Sequence, residues 1–356
     1  MKILFGIPVK DHYELTQAEV LGFQEKGNEV FVSDYGNTGF ATNLISMFLL
    51  VLKNAINLKR KLVKHKCELV FLNTAFDNKT IIRDSITLFL LKLFNKKVKV
   101  VFKTHGTIKA TVFSQNFFKK YLFRNSDLIL VLSGEELRNF LDAGIDGKKV
   151  QVTANVINTQ RYVADETFRE INCLDDDILI ILFVGRFIKE KGIIDLVYAC
   201  RLLKNSGIKF KLICLGDGPL LKKAINLSGS LQLEKDIKFL GHIPESETNY
   251  YYSNCDVVIL PSYHEEGFPM AVFNGVACGK PIITTKIRAA ADYLKSFENC
   301  LWVEPNNPKD IFKKIEVLAN STELRQEMTK NNFRLATNFS REIIVNELHL
   351  KFLSLF

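Results

Sequence analysis

The sequence predicts an α/β protein made of two doubly wound parallel sheets, the two halves facing across a cleft. Three observations point there. A chain of 356 residues with 47% apolar composition is too long for one ordinary core and divides into two domains of roughly 150 to 180 residues. Short apolar runs rich in β-branched residues alternate with helical stretches twice along the chain, as parallel strands with crossover helices require. Between the two series, residues 161–177 are polar and charged, ending in Asp175-Asp176-Asp177, and read as a linker. The expected domains are 1–165 and 166–335, with a final helical segment, 336–356, crossing back to the first.

In the first half, KILFGIP (2–8) reads as a strand, 15–26 as a helix stopped at Gly27, and EVFVSDYG (29–36) as a second strand. Residues 44–66 read as a long helix, apolar first and then basic. CELVFLNTA (67–75) is a strand, 82–94 a helix, and VKVVFKTHG (98–106) a strand ending in Thr104-His105-Gly106. A basic-aromatic helix over 113–123, a strand over 127–133, a helix over 134–141 and the segment KKVQVTANVIN (148–158) complete the series. The second half repeats it with ILIILFVGR (178–186), a helix over 192–205, FKLICLGDGP (210–219), a helix over 220–228, IKFLGHI (237–243) and a helix over 246–253. CDVVILP (255–261) then leads into a helix over 270–278 stopped by Gly279, the strand PIITT (281–285), and two helices over 308–331 and 341–356. Each half is Rossmann-like.

Charge is uneven. The net charge is +9, residues 1–160 carrying 23 Lys/Arg against 14 Asp/Glu and residues 161–356 carrying 25 of each. Between Lys53 and Arg124 the counts are 17 basic and 3 acidic, interleaved with Phe, Leu and Ile. Helices 44–66 and 113–124 therefore have the composition of a surface that rests on anionic lipid. No nucleic-acid reader motif is present. Seven scattered cysteines without paired spacing read as reduced core residues of a cytoplasmic protein. The first residues form a strand rather than a signal sequence, and no window reaches the ~18 apolar residues of a membrane span.

The chemistry concentrates in residues 262–285, SYHEEGFPMAVFNGVACGKPIITT. A strand, a turn-rich loop with Glu266, and a helix place backbone N–H groups beside an acidic side chain at the carboxyl edge of a sheet, where an anion and sugar hydroxyls fit together. Arg186 and Lys191 stand at the end of a strand in the same half, and fixed cations there stabilise a diphosphate leaving group without a metal. Asp175-Asp176-Asp177 lies in the linker before a strand and reads as a solvated turn, His264-Glu265-Glu266 lacks a second ligand cluster at metal spacing, and Glu265 reads as solvated.

VGRFIKEKG (184–192), LGDGP (215–219), FLGHIPESE (239–247), DVVILPS (256–262), EGFP (266–269), ACGKPIITT (277–285) and WVEP (302–305) together resemble, in order and spacing, the retaining glycosyltransferases of the GT-B fold. The pattern is that of the GT4-like group, glycosyl transferases group 1, of bacterial surface polysaccharide assembly. The resemblance implies a nucleoside-diphosphate sugar donor, a glycan or lipid-linked acceptor, retention of the anomeric configuration, and no cofactor or metal. It implies that Glu266 and His105 contact the donor sugar, that Arg186 and Lys191 contact the diphosphate, and that Gly6, Gly185, Ile243, Gly267, Phe268, Pro269 and Met270 line the donor site. Gly267 would let the backbone approach the ligand. The family carries a second Glu eight positions after Glu266, on the ribose hydroxyls; this chain has Asn274, which keeps an acceptor oxygen and loses charge assistance. The expected protein is a cytoplasmic glycosyltransferase peripheral to the membrane. The other classes are a sugar-nucleotide epimerase and a catalytically silent binding subunit.

Overall fold

The strand β1 (Lys2–Ile7) is flanked on both sides by parallel partners, β2 (Glu29–Asp34) and β3 (Leu69–Thr74). With β4 (Lys99–Thr104), β5 (Leu128–Val131) and β6 (Val150–Val152) they form a six-stranded parallel sheet in the order β2-β1-β3-β4-β5-β6. A second parallel sheet of six is built from β7 (Leu179–Val184), β8 (Phe210–Leu215), β9 (Ile237–Gly241), β10 (Val257–Leu260), β11 (Ile282–Thr284) and β12 (Cys300–Trp302), ordered β12-β11-β10-β7-β8-β9. The structure is a computed structural model that describes residues 1–7, 13–36, 44–105, 117–157, 159, 165, 167–172, 175, 177–264 and 266–356.

By their contacts the residues fall into two units. Met1–Val156, Glu265–Phe268 and Arg341–Phe356 form one; Ile157–His264 and Pro269–Ser340 form the other. In the first, α1 (Tyr13–Glu25), α2 (Leu44–His65), α3 (Asn78–Phe94), α4 (Phe117–Asn125) and α5 (Gly134–Asp142) connect the strands. Helices cover both faces, so all six residues of β3, LVFLNT, are buried. Phe76, Phe102, Phe123 and Phe140 meet in one aromatic cluster of this core. The start of the basic-aromatic helix, 113–116, and Gly106 lie outside the described residues.

The second unit carries α6 (Phe168–Ile171), α7 (Ile193–Asn205), α8 (Leu221–Ser230), α9 (Glu245–Asn254), α10 (Met270–Ala277), α11 (Arg288–Tyr293), α12 (Pro308–Ala319) and α13 (Thr322–Thr337). The stretch read as one helix over 308–331 is two. Ser321 is extended, and its hydroxyl accepts from the N–H of Leu324, so it caps a new helix rather than continuing the old one. The segment read as linker holds the short α6, whose Arg169 reaches Asp256 at 3.0 Å and the carbonyls of Asp175 and Ile178. The helix α3 starts four residues earlier than its apolar pattern, because Asp77 accepts from the N–H groups of Lys79 and Thr80.

The last helix, α14 (Arg341–Leu353), packs on α1. Phe352 stacks on Phe23 at 5.2 Å, Arg341 pairs with Glu25 at 2.8 Å, and Lys351 Nζ donates to the carbonyl of Val152. Six cysteines, Cys67, Cys200, Cys214, Cys255, Cys278 and Cys300, are free and buried. Burial pushes their thiols up, Cys67 to about 11 and Cys255 and Cys300 to about 12, which keeps them unreactive; Cys173 lies outside the described residues. Among the described residues no helix is long and apolar enough to cross a membrane, and no group of three His, Cys, Asp or Glu side chains could hold a metal ion.

Candidate active site

In the second sheet the strand order reverses between β7 and β10, and the crevice outside the carboxyl ends of such a pair is where doubly wound folds bind ligands. The chain leaves β7 through Gly185, Arg186 and Phe187, passes a single 3-10 turn, Lys189–Lys191, and enters α7 at Gly192. It leaves β10 through Pro261 and Ser262. These two exits are tied together by one atom: the Glu190 carbonyl accepts from the N–H of Tyr263 at 2.9 Å, the N–H of His264 at 3.2 Å and the hydroxyl of Ser262 at 3.1 Å. Gly192 lies so close to Pro261 that a Cβ there would stand 2.5 Å from the Pro261 carbonyl oxygen, and its φ of +72° suits glycine.

The loop holding Arg186 is backed from the other side by the LGDGP turn. Gly185 N–H donates to Leu215 O, Phe187 N–H to Asp217 O, and Leu220 N–H to Phe187 O, at 2.9 to 3.0 Å. Arg186 is exposed, whereas Lys191 is only 5% exposed. Lys191 precedes the N-terminal end of α7, where the helix dipole is positive. Such a potential is matched to an anion.

On the neighbouring side, Pro269 caps α10, with Met270 in its first turn. Asn274 is half-buried one turn further on. Ile243 follows β9 and is half-buried. The second unit thus brings Gly185, Arg186, Lys191, Pro269, Met270 and Asn274 onto two adjacent strand exits, with Ile243 on the exit of the edge strand β9. Thr285 donates to Ser262 O and Thr284 to Leu260 O, which locks the end of β11 to the β10 exit.

The remaining proposed residues belong to the first unit. Glu266, Gly267 and Phe268 group there. A Cβ on Gly267 would lie 3.1 Å from Glu136 Oε1 and 3.3 Å from Leu132 Cβ, so protein atoms already use the space that its missing side chain leaves. Gly6 sits inside β1, where a Cβ would meet Leu72 Cδ2 at 2.5 Å and Tyr35 Cβ at 3.0 Å; the turn after it, 8–12, lies outside the described residues. His105 follows β4 directly. Its N–H donates to Thr74 O at 2.8 Å, and its Nε2 lies 2.8 Å from Asn73 Oδ1.

Sequence reasoning did not find the polar cluster around His105. Asp84, fully buried, accepts from Tyr35 Oη at 2.5 Å, from Arg83 Nε at 2.7 Å and from the Thr74 hydroxyl. Burial, and then the charge of Asp84, raise the Tyr35 hydroxyl well above its ordinary range. Burial alone would lower the Arg83 guanidinium, but Asp84 and Tyr35 hold it above its ordinary range. The Arg83 guanidinium also lies 4.2 Å over the Tyr35 ring. These residues are spread over 50 positions with no local pattern, so only the fold brings them together.

Comparison with known proteins gives the site its context. Residues 164–334 match the family described as Glycosyl transferases group 1. Over 226 residues the chain is 33% identical to an uncharacterised glycosyltransferase, MJ1178, of Methanocaldococcus jannaschii, a match covering 64% of this chain and 59% of that one. It is 27% identical to the capsular polysaccharide biosynthesis glycosyltransferase CapM of Staphylococcus aureus, over 70% of this chain and 68% of the relative. The chain thus spans about three fifths of the length of the archaeal relative. The crystal structure of Anabaena Alr3699/HepE in complex with UDP and glucose superimposes with a TM-score of 0.78 over 99% of both chains, at 17% identity. The fold is therefore the two-sheet α/β fold of the GT-B glycosyltransferases, and residues 164–334 carry the signature of the glycosyl transferases group 1 family.

Proposed function

We propose that this chain transfers a sugar from a nucleoside-diphosphate sugar to a lipid-linked or polysaccharide acceptor in surface-glycan assembly, with retention of the anomeric configuration. The observation that carries the reading is the pair of strand exits in the second unit, where Lys191 and the N-terminus of α7 are clamped to the β10 exit through Glu190. A leaving diphosphate gains negative charge as the glycosidic bond breaks, and rigid cations at that point stabilise the transition state more than the ground state. Arg186 and Lys191 take that role, and Glu266 and His105 contact the sugar. In the family that the motifs resemble, the leaving phosphate itself helps deprotonate the acceptor. The UDP and glucose bound by HepE support a nucleotide-sugar donor, and CapM supports a capsule-type product.

Thermal-shift titration with UDP-, GDP- and ADP-sugars tests the reading. One nucleotide class should raise the melting temperature, and Arg186→Ala should weaken that ligand roughly 10- to 100-fold, the worth of one charge-assisted contact. The absence of any shift in the wild-type protein would overturn it. A catalytically silent binding subunit is the second reading, favoured by Asn274 alone; it predicts nucleotide binding without release of nucleotide when acceptor is added.

The same proposal places the protein at the inner face of the membrane. In the first unit α2 packs against α3, and α3 against α4. Ile45, Phe48, Leu49, Phe89 and Phe117 on these helices are exposed, Ile45 and Phe117 by about three quarters. Such exposed apolar residues among lysines suit an anionic lipid surface. Sedimentation with anionic vesicles should show binding that weakens with salt.

A further inference from the structure

The first sheet has a topological switch of its own. Its order begins β2-β1-β3, so the chain leaves β1 to one side for β2 and crosses to the other side for β3, and the crevice of such a switch lies outside the carboxyl ends of β1 and β3. Tyr35, directly after β2, borders it, its N–H donating to the carbonyl of Ile7 at the end of β1 at 2.8 Å. Asn73 and Thr74 end β3. The cation that reaches these strand ends comes from α3: Arg83 Nη2 lies 3.4 Å from Asn73 O, and the guanidinium lies 4.2 Å over the Tyr35 ring.

Arg83 is firmly held and incompletely used. Its Nε donates to Asp84 Oδ1 at 2.7 Å; the same oxygen accepts from Tyr35 Oη, and Oδ2 accepts from the Thr74 hydroxyl. Asp84 has no exposed surface and both of its oxygens are occupied, so it does not need the outer N–H groups of the guanidinium. Among the described residues no carboxylate or carbonyl oxygen takes Nη1, and the Arg83 side chain keeps 16% of its surface exposed. Burial would lower the guanidinium, but Asp84 and Tyr35 hold it above its ordinary range, so its charge is permanent. The neighbouring cation, Lys103 on β4, is spent on Glu19 Oε1 at 2.6 Å and Ala154 O at 3.1 Å. The surrounding segment, Lys53 to Arg124, has 17 basic residues against 3 acidic, and the field of such an excess favours an anion. A planar fork fixed at one edge and untaken at the other suits the oxygens of a phosphate, which a guanidinium binds through two parallel hydrogen bonds.

We propose that Arg83 is the phosphate anchor of the first unit, its untaken edge binding a phosphate of the acceptor, as in a diphosphate that joins a sugar to a lipid, while Asp84 and Tyr35 hold the guanidinium in place. This rests on the transferase reading and narrows it: the acceptor carries a phosphate close to the end that receives the sugar, and is not a neutral glycan terminus.

Titration calorimetry with farnesyl diphosphate, inorganic pyrophosphate and farnesol tests the proposal. The wild-type protein should bind both diphosphates and not farnesol. Arg83→Gln should weaken the two roughly 10- to 100-fold, and Arg83→Lys, which keeps the charge without the fork, should restore only part of the loss. Arg83→Gln leaves Asp84 buried without its cation, so Arg83→Met with Asp84→Asn, which removes the pair whole, is measured beside it and should show the same loss. Arg186→Ala, in the other unit, should leave farnesyl diphosphate binding unchanged and weaken the nucleotide sugar instead. Unchanged farnesyl diphosphate affinity in either folded Arg83 variant overturns the proposal, as does a loss confined to Arg186→Ala, equal binding of farnesol, or no binding by the wild-type protein. Binding of pyrophosphate without farnesyl diphosphate overturns the lipid-linked source. If the Arg83-dependent affinity appears but no nucleotide sugar shifts the melting temperature, the anchor stands and the transferase reading falls; if a nucleotide sugar binds and Arg83 changes nothing, the reverse holds.

Discussion

Gly192 joins the 3-10 turn that carries Lys191 to the helix α7, and replacing it with alanine tests whether that junction is set by the β10 exit. Two effects add. The backbone has φ +72°, where a Cβ costs about 1–2 kcal/mol. The new Cβ would also lie 2.5 Å from Pro261 O and 2.9 Å from Pro261 Cγ, against 3.4 Å for ordinary contact. Neither atom is the free end of a flexible side chain, so the junction or the loop must move by close to an ångström, at a further cost of about 1–3 kcal/mol. The sum is about 2–5 kcal/mol, or a fall in melting temperature of roughly 4–20 °C for a unit of this size. Gly207 supplies the control. It follows the other end of the same helix with φ +78°, and a Cβ there meets nothing within 4 Å. Gly207→Ala therefore carries the backbone penalty alone, about 1–2 kcal/mol. Differential scanning calorimetry measures both, and nucleotide-sugar titration adds a second axis, on which Gly192→Ala should lose affinity and Gly207→Ala should not. Equal melting temperatures for the two variants would refute the clash, and unchanged donor affinity in Gly192→Ala would refute the link between this junction and the donor site.

Three further outcomes follow from the structure. Lys103→Met leaves the Glu19 carboxylate buried without its cation and should destabilise the protein by about 3–5 kcal/mol in chemical denaturation, whereas Lys103→Met with Glu19→Leu should recover most of the loss. His349 is held below its ordinary 6.5 by burial, and then by Lys26 and the N-terminal amine. The unfolded chain therefore binds more protons at this position than the native one, and stability should fall as pH drops below about 6.5. His349→Gln should flatten that part of the denaturation profile. Asn274→Glu should tighten nucleotide-sugar binding roughly fivefold or more by calorimetry, if the residue accepts from the ribose; unchanged affinity would remove position 274 from the ribose contact.

What could be read in the sequence depended on whether the signal was local. The strands β3 and β7 were legible because burial on both faces makes them continuous apolar runs. The strands β8 to β11 were legible in the same way, as short apolar runs ending at turn residues. β12 and α11 were not legible, since three and six residues carry too little periodicity to stand out. The break between α12 and α13 rests on one capping hydroxyl at Ser321, in a stretch whose composition otherwise favours one long helix. At the candidate site, Arg186, Lys191 and Glu266 were proposed from the motifs they sit in, whereas Glu190 acts through its main-chain carbonyl, which leaves no trace in a residue type.

The glycines illustrate the same limit from the other direction. Gly267 was read as a place where the backbone approaches a ligand, and Gly6 as part of the donor site; a motif records that a side chain is missing and not which atoms fill the space. In the folded chain the space at Gly267 is filled by Glu136 and Leu132, and the space at Gly6 by Leu72 and Tyr35. Tyr35 in turn donates to Asp84 on α3, which also accepts from the hydroxyl of Thr74 at the end of β3. A substitution at Gly6 would therefore reach the buried Asp84 cluster through packing alone, by pushing on Tyr35. At Gly6 and Gly267 the packing of the protein's own atoms is by itself enough to require glycine.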